Sequence, residues 1–77
     1  MDLKSVLTDI ARAIVDTPDA VTVTENVDGD KVELILTVAE DDTGMIIGRH
    51  GRIAKAIRQV MKAAANTAGL HVTVEIK

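Results

Sequence analysis

Four residues, Gly48-Arg49-His50-Gly51, bring together residue types that hold an anion. The stretch from Gly44 to Arg58 around them carries three of the chain's five glycines and four of its nine Lys/Arg residues. Three features point to a phosphate. A helix is predicted to begin at the second glycine, so its unpaired N–H groups and the positive end of its dipole face the turn. Arg49 and Arg52 set guanidiniums on either side of the same spot, with Lys55 one turn further along. Glycines at both ends remove the Cβ atoms that would keep an anionic backbone at a distance. A bare G-x-x-G is otherwise a common helix–helix turn, in which Gly48 takes the left-handed C-cap position.

Other phosphate-binding patterns fit less well. A P-loop needs G-x-x-x-x-G followed by Lys and Ser/Thr, and that pair is missing here. The dinucleotide fingerprint G-x-G-x-x-G has a different spacing from Gly44, Gly48 and Gly51.

The elements that must position this turn follow from hydrophobic periodicity. Leu3, Val6, Leu7, Ile10, Ala11 and Ile14 fall at helical spacing, with Asp2 as N-cap and Thr17-Pro18 as the stop. Val21, Val23 and Val27 alternate with polar residues, and so do Val32, Leu34, Leu36 and Val38; Asp28-Gly29-Asp30 between the two runs predicts a hairpin turn. Glu40-Asp41-Asp42-Thr43 offers N-caps for a short helix through Ile47. After Gly51 a longer helix has the apolar stripe Ile53, Ile57, Val60 or Met61, and Ala64, and a polar face of Arg52, Lys55, Gln59, Lys62 and Asn66 with Arg58 beside it. Asn66–Gly69 closes that helix, and Leu70–Lys77 alternates as a last strand. The order is α-β-β-α-α-β. A helical crossover between strands 32–38 and 70–76 favours a parallel, right-handed pair, and the hairpin adds the first strand antiparallel. The expected architecture is α+β, a three-stranded mixed sheet with helices packed on one face, in a single domain over 1–77.

Composition narrows the function. At 77 residues without cysteine, disulfide and thiolate chemistry are excluded, and a core without aromatic residues must be aliphatic. The net charge of −3 hides a segregation. Residues 1–42 hold eleven acids against Lys4, Arg12 and Lys31, whereas residues 43–77 hold Arg49, Arg52, Lys55, Arg58, Lys62 and Lys77 against Glu75 alone. The local positive field governs contacts at the turn, because charges beyond about 8–10 Å are largely screened. Ser5, Thr8 and the acids form no nucleophile–base set, and no cluster has metal-ligand spacing, which argues against an enzyme and against a cofactor. The first residues lack an export signal, and no apolar run approaches a membrane span, so a cytoplasmic protein is expected.

Ile46-Ile47-Gly48-Arg49-His50-Gly51-Arg52-Ile53 resembles the helix–GxxG–helix core of KH domains, and the preceding helix and strand resemble the type II, bacterial variety. Val15-Asp16-Thr17-Pro18-Asp19 and Gly51–Arg58 extend the resemblance over the whole chain to the KhpA family of small, stand-alone bacterial KH proteins. The loop pair Arg49-His50 departs from the Lys-Gln commonest there and keeps one positive charge. The resemblance implies binding of single-stranded RNA, with Gly48, Arg49, His50, Gly51, Arg52 and Lys55 on the phosphates and Ile46 or Ile47 with Val72 flooring a groove for bases. Arg58 and Lys62 extend the basic track. It also implies a homodimer, pairing with a second KH protein, KhpB, and a role as RNA chaperone or post-transcriptional regulator linked to cell elongation and division. The alternative reading is a protein-interaction module: Met61-Lys62-Ala63-Ala64-Ala65 has more small side chains than one buried stripe needs, which lets another helix approach closely.

Overall fold

Asp2 opens the first helix, α1 (Leu3–Ile14), by accepting from the Lys4 N–H at 3.1 Å and from the Ser5 hydroxyl at 2.8 Å. The Ser5 hydrogen bond holds the Asp2 carboxyl below its ordinary pKa. Leu3, Leu7 and Ala11 are buried on one face of α1. The helix ends at Ile14, earlier than the Thr17-Pro18 stop expected from sequence. Val15 is the reason: it turns extended and buries its side chain, while its N–H still donates to Ala11 O at 3.1 Å. Pro18 instead begins a separate 3-10 turn, Pro18–Ala20, where its fixed φ suits the first position.

The computed structural model describes residues 2–77. Its strands are β1 (Thr22–Asp28), β2 (Lys31–Thr37) and β3 (His71–Ile76), in the sheet order β1-β2-β3. β1 and β2 are antiparallel, with Val23 opposite Leu36 and Asp28 opposite Lys31. β2 and β3 are parallel, with Leu34 opposite Val74. The chain between them carries α2 (Thr43–Ile47) and α3 (Arg52–Thr67). This is the α+β order and mixed sheet expected from the hydrophobic pattern.

One face of the sheet makes the core. Val23, Val32, Leu34, Leu36 and Val74 meet Leu7, Ile46, Ile57, Met61 and Ala65 from the helices. The opposite face, carrying Thr24, Glu33, Thr73 and Glu75 among others, stays exposed. Register puts Val27 opposite the buried Val32, on the helical side, yet Val27, at the hairpin end of the outer strand β1, is 62% exposed. In α3 the stripe resolves in favour of Met61, which is fully buried, and against Val60, which is half exposed.

Asp42 corrects a second expectation. Its side chain makes no capping bond to α2; Glu40–Asp42 form a 3-10 turn before that helix. The carboxylate is buried and accepts from the Thr17 N–H at 3.0 Å, tying the turn after α1 to the start of α2.

Candidate nucleic-acid interface

The turn between α2 and α3 is built from three consecutive backbone decisions. Gly48 N–H donates to Gly44 O at 2.8 Å, and then φ 76, ψ 172 carries the chain off the α2 axis. The positive φ agrees with the sequence expectation; the extended ψ does not, so Gly48 is no left-handed cap. A Cβ at Gly48 would lie 2.6 Å from Ile53 Cγ1, so the absent side chain serves the packing of α3 on α2. His50 (φ 58, ψ 24) and Gly51 (φ 73, ψ 15) then both occupy the left-handed region. Histidine is among the few non-glycine types enriched there. Nothing lies within 4 Å of a Cβ built on Gly51, so this glycine faces open space.

The turn's own hydrogen bonds leave its leading edge free. Gly51 N–H donates to Gly48 O at 3.1 Å and Arg52 N–H to Arg49 O. The amides of Arg49 and His50 come first in this 3-10 turn and have no acceptor within it. Both residues are exposed. Unpaired N–H groups on an exposed turn that also carries a guanidinium can hold a singly charged oxygen such as a phosphodiester's.

The surrounding cations divide between two flanks of α3. Lys55, Arg58 and Lys62, at helical spacing, share the flank toward β3. Arg58 and Lys62 line a groove of about 310 Å³ with Val72, Thr73 and Val74, and Arg58 Nε donates to Val74 O at 3.2 Å. Arg52 lies on the other flank, at the rim of an apolar depression of about 480 Å³ lined by Ile10, Ile14, Ile53, Ala56 and Val60. Among the described residues the only basic and acidic side chains within 4 Å of each other are His71 and Asp30, so the cations near the turn have no carboxylate partner. A depression of about 560 Å³ lies at the hairpin end, lined by Asp28 and Glu33 as well as Lys31 and His71. Its acids oppose its cations, so it offers a polyanion less than the turn does.

Two residues expected to floor the groove part company. Ile46 is fully buried in the core and offers no surface to a ligand, because α2 packs against α3 and α1. Ile47 is 40% exposed beside the turn, and Val72 is half-buried in the β3 groove. The sequence puts Arg58 beside the polar face and on the basic track; its bond to Val74 joins residues 16 apart and has no local signature. No group of three or more potential metal ligands occurs among the described residues, and no helix there is long and apolar enough to cross a membrane.

A G-x-x-G turn joining two helices between parallel strands of a three-stranded mixed sheet defines a KH-type fold. Residues 4–76 match the family model "KhpA/KhpB, KH domain". The RNA-binding protein KhpA of Clostridium acetobutylicum is 49% identical over 74 residues, covering 96% of this chain and 99% of that protein. Its namesake in Halalkalibacterium halodurans is 43% identical with 96% and 97% covered, and that of Bacillus subtilis 38% identical with 96% and 91% covered. The chain belongs to the KhpA/KhpB KH-domain family, which is not a family of enzymes.

Among solved structures, Era in complex with MgGDPNP and nucleotides 1506–1542 of 16S ribosomal RNA matches with a TM-score of 0.72 at 20% identity, over 96% of this chain and 28% of that one. Aquifex aeolicus Era bound to GDP.AlF4- matches with a TM-score of 0.62 at 21% identity, over 99% and 31%. The chain spans less than a third of either Era chain, and the likeness is one of fold.

Proposed function

We propose that this chain binds single-stranded RNA, with the Gly48–Gly51 turn on the sugar–phosphate backbone and the groove between α3 and β3 receiving bases. One observation carries the reading: the exposed turn leaves the Arg49 and His50 amides without an acceptor inside it, and among the described residues no carboxylate pairs with its cations. The relatives' name, RNA-binding protein KhpA, supports the same ligand. Arg49, Arg52 and Lys55 supply charge, Gly51 leaves room for a backbone, and Ile47 and Val72 contribute apolar surface. No Phe, Tyr or Trp is available for stacking, so affinity is modest and comes mainly from phosphate contacts. In the cell this activity is that of a cytoplasmic RNA chaperone or post-transcriptional regulator, linked by family likeness to elongation and division.

Replacing Arg49 and His50 together by Asp, with both glycines kept, tests the site. Loss of two charge-assisted contacts is expected to weaken binding of a short single-stranded RNA by roughly tenfold or more. Undiminished binding by a folded variant would falsify the reading.

A second reading concerns association. The depression between α1 and α3 is apolar, and Val60 within it is 51% exposed, a surface that a second copy of the chain or KhpB would cover. Sedimentation of a Val60→Asp variant separates the two: association that disappears while the fold and RNA binding stay intact assigns the depression to a protein interface, and unchanged association removes it from the account.

A further inference from the structure

β3 is an outer strand, and one of its edges has no strand beside it. His71 N–H donates to Asp30 O at 2.8 Å and Lys77 N–H to Leu36 O at 2.9 Å, so the odd-numbered residues direct their backbone groups at β2. By the alternation of a strand, Val72, Val74 and Ile76 direct theirs at the open edge. In extended backbone the N–H and C=O of one residue lie side by side. They offer a donor next to an acceptor. The Watson–Crick edge of each of the four bases has an adjacent donor and acceptor: N6 and N1 of adenine, N4 and N3 of cytosine, N1 and O6 of guanine, N3 and O4 of uracil. A bare residue on this edge therefore accepts any base.

At Val74 the pattern is broken. Arg58 Nε donates to Val74 O at 3.2 Å and occupies the acceptor. What remains there is the Val74 N–H and the Nη hydrogens of the guanidinium, with the Lys62 ammonium on the same groove. No carboxylate lines this groove.

We propose that Arg58, held on the Val74 carbonyl, turns this position of the β3 edge into a donors-only site that selects bases with two adjacent acceptors. Cytosine presents N3 with O2, and guanine O6 with N7; adenine and uracil have no adjacent pair of acceptors on their base-pairing edges. The assignment rests on the RNA reading above and adds a base preference to it. Arg58 here reads a base, whereas Arg49 and Lys55 face phosphates. Lysine cannot replace it, because a single ammonium cannot both hold the carbonyl and present a planar fork.

The experiment is fluorescence anisotropy with labelled heptamers of uridine in which the central base is left as U or replaced by A, C or G. With the wild-type chain the C and G oligonucleotides are expected to bind about tenfold more tightly than the A and U ones, as one good bidentate contact gives. In Arg58→Lys and Arg58→Gln the ratio is expected to fall to about one, with melting curves confirming the fold. Equal binding of all four by the wild type, or a ratio retained in both Arg58 variants, overturns the inference. The RNA reading has its own control: substitution of Arg49 and His50 by Asp must weaken all four oligonucleotides alike. If that substitution changes none of them, both proposals fall; if it weakens all while the wild type shows no base ratio, only the Arg58 assignment falls.

Discussion

At Gly48 an alanine methyl would sit 2.6 Å from Ile53 Cγ1 and 2.9 Å from Ile53 Cβ, in a backbone conformation with φ 76. The same methyl at Gly51 would meet nothing, although φ is again positive. Two glycines of one motif thus answer to different physics, the first to packing and the second to backbone conformation and outside access. Gly48→Ala is expected to destabilise by about 2–5 kcal/mol, combining the strain of a positive-φ, extended-ψ conformation that essentially only glycine adopts with overpacking. Gly51→Ala is expected to cost about 1–2 kcal/mol, from the left-handed conformation alone. Urea denaturation of both variants checks the order, and equal losses would contradict the division of roles. His50 extends the left-handed run by one residue; a β-branched residue there would be disfavoured, since its side chain crowds the following carbonyl.

At the scale of elements, Asp42 connects two parts of the chain that share no secondary structure. Its buried carboxylate accepts from Thr17 N–H, so Asp42→Ala removes the acceptor and leaves a partly buried donor unmatched. A loss of about 1–3 kcal/mol in urea melts is expected, with Asp42→Asn losing less because an amide oxygen remains. If Ala and Asn behave alike, the hydrogen bond is not what Asp42 contributes. This contact also shows where sequence reading stopped. Strand pairing was legible because alternating Val and Leu residues, a Gly-containing turn and a helical crossover each have a local period or a known hand. The same is true of the Gly48–Gly51 turn, whose residue types sit side by side. The Asp42–Thr17 and Arg58–Val74 bonds span 25 and 16 residues, and no periodicity encodes them. The early end of α1 escaped for a related reason: Val15 continues the apolar pattern of the helix but buries its side chain after leaving it. Ile46 and Ile47 are equivalent to a pattern reading and opposite in the fold, because α2 is only five residues long and its core face is set by α3 and α1.

For the molecule as a whole, charge is divided along the chain, and five of the six cations after Thr43 (Arg49, Arg52, Lys55, Arg58 and Lys62) sit on the glycine turn and α3. Eleven of twelve acids precede Thr43, and the chain has no acid between Thr43 and Val74. A polyanion approaching the acidic half is repelled and one approaching α3 is attracted, so orientation is selected before contact. With about two to four phosphates engaged by a KH loop, the log–log dependence of affinity on salt is expected to have a slope of about −1.5 to −3. Titrations at several salt concentrations measure it, and a slope near zero would remove phosphate contact from the account.

The parallel pairing of β2 with β3 has a consequence for how the molecule assembles. Partners in the β1–β2 hairpin are 3 to 15 residues apart, whereas every partner pair from Lys31–His71 to Leu36–Ile76 is 40 apart. Closing the longer loop costs more chain entropy before any contact offsets it, so the hairpin and the α2–α3 turn are expected to form first and β3 to join last, an order that site-resolved refolding kinetics would check. The glycine turn and the open edge of β3 therefore belong to different stages of assembly. A chain whose last strand has come away keeps a cradle for one phosphate and loses the wall against which a base would be read.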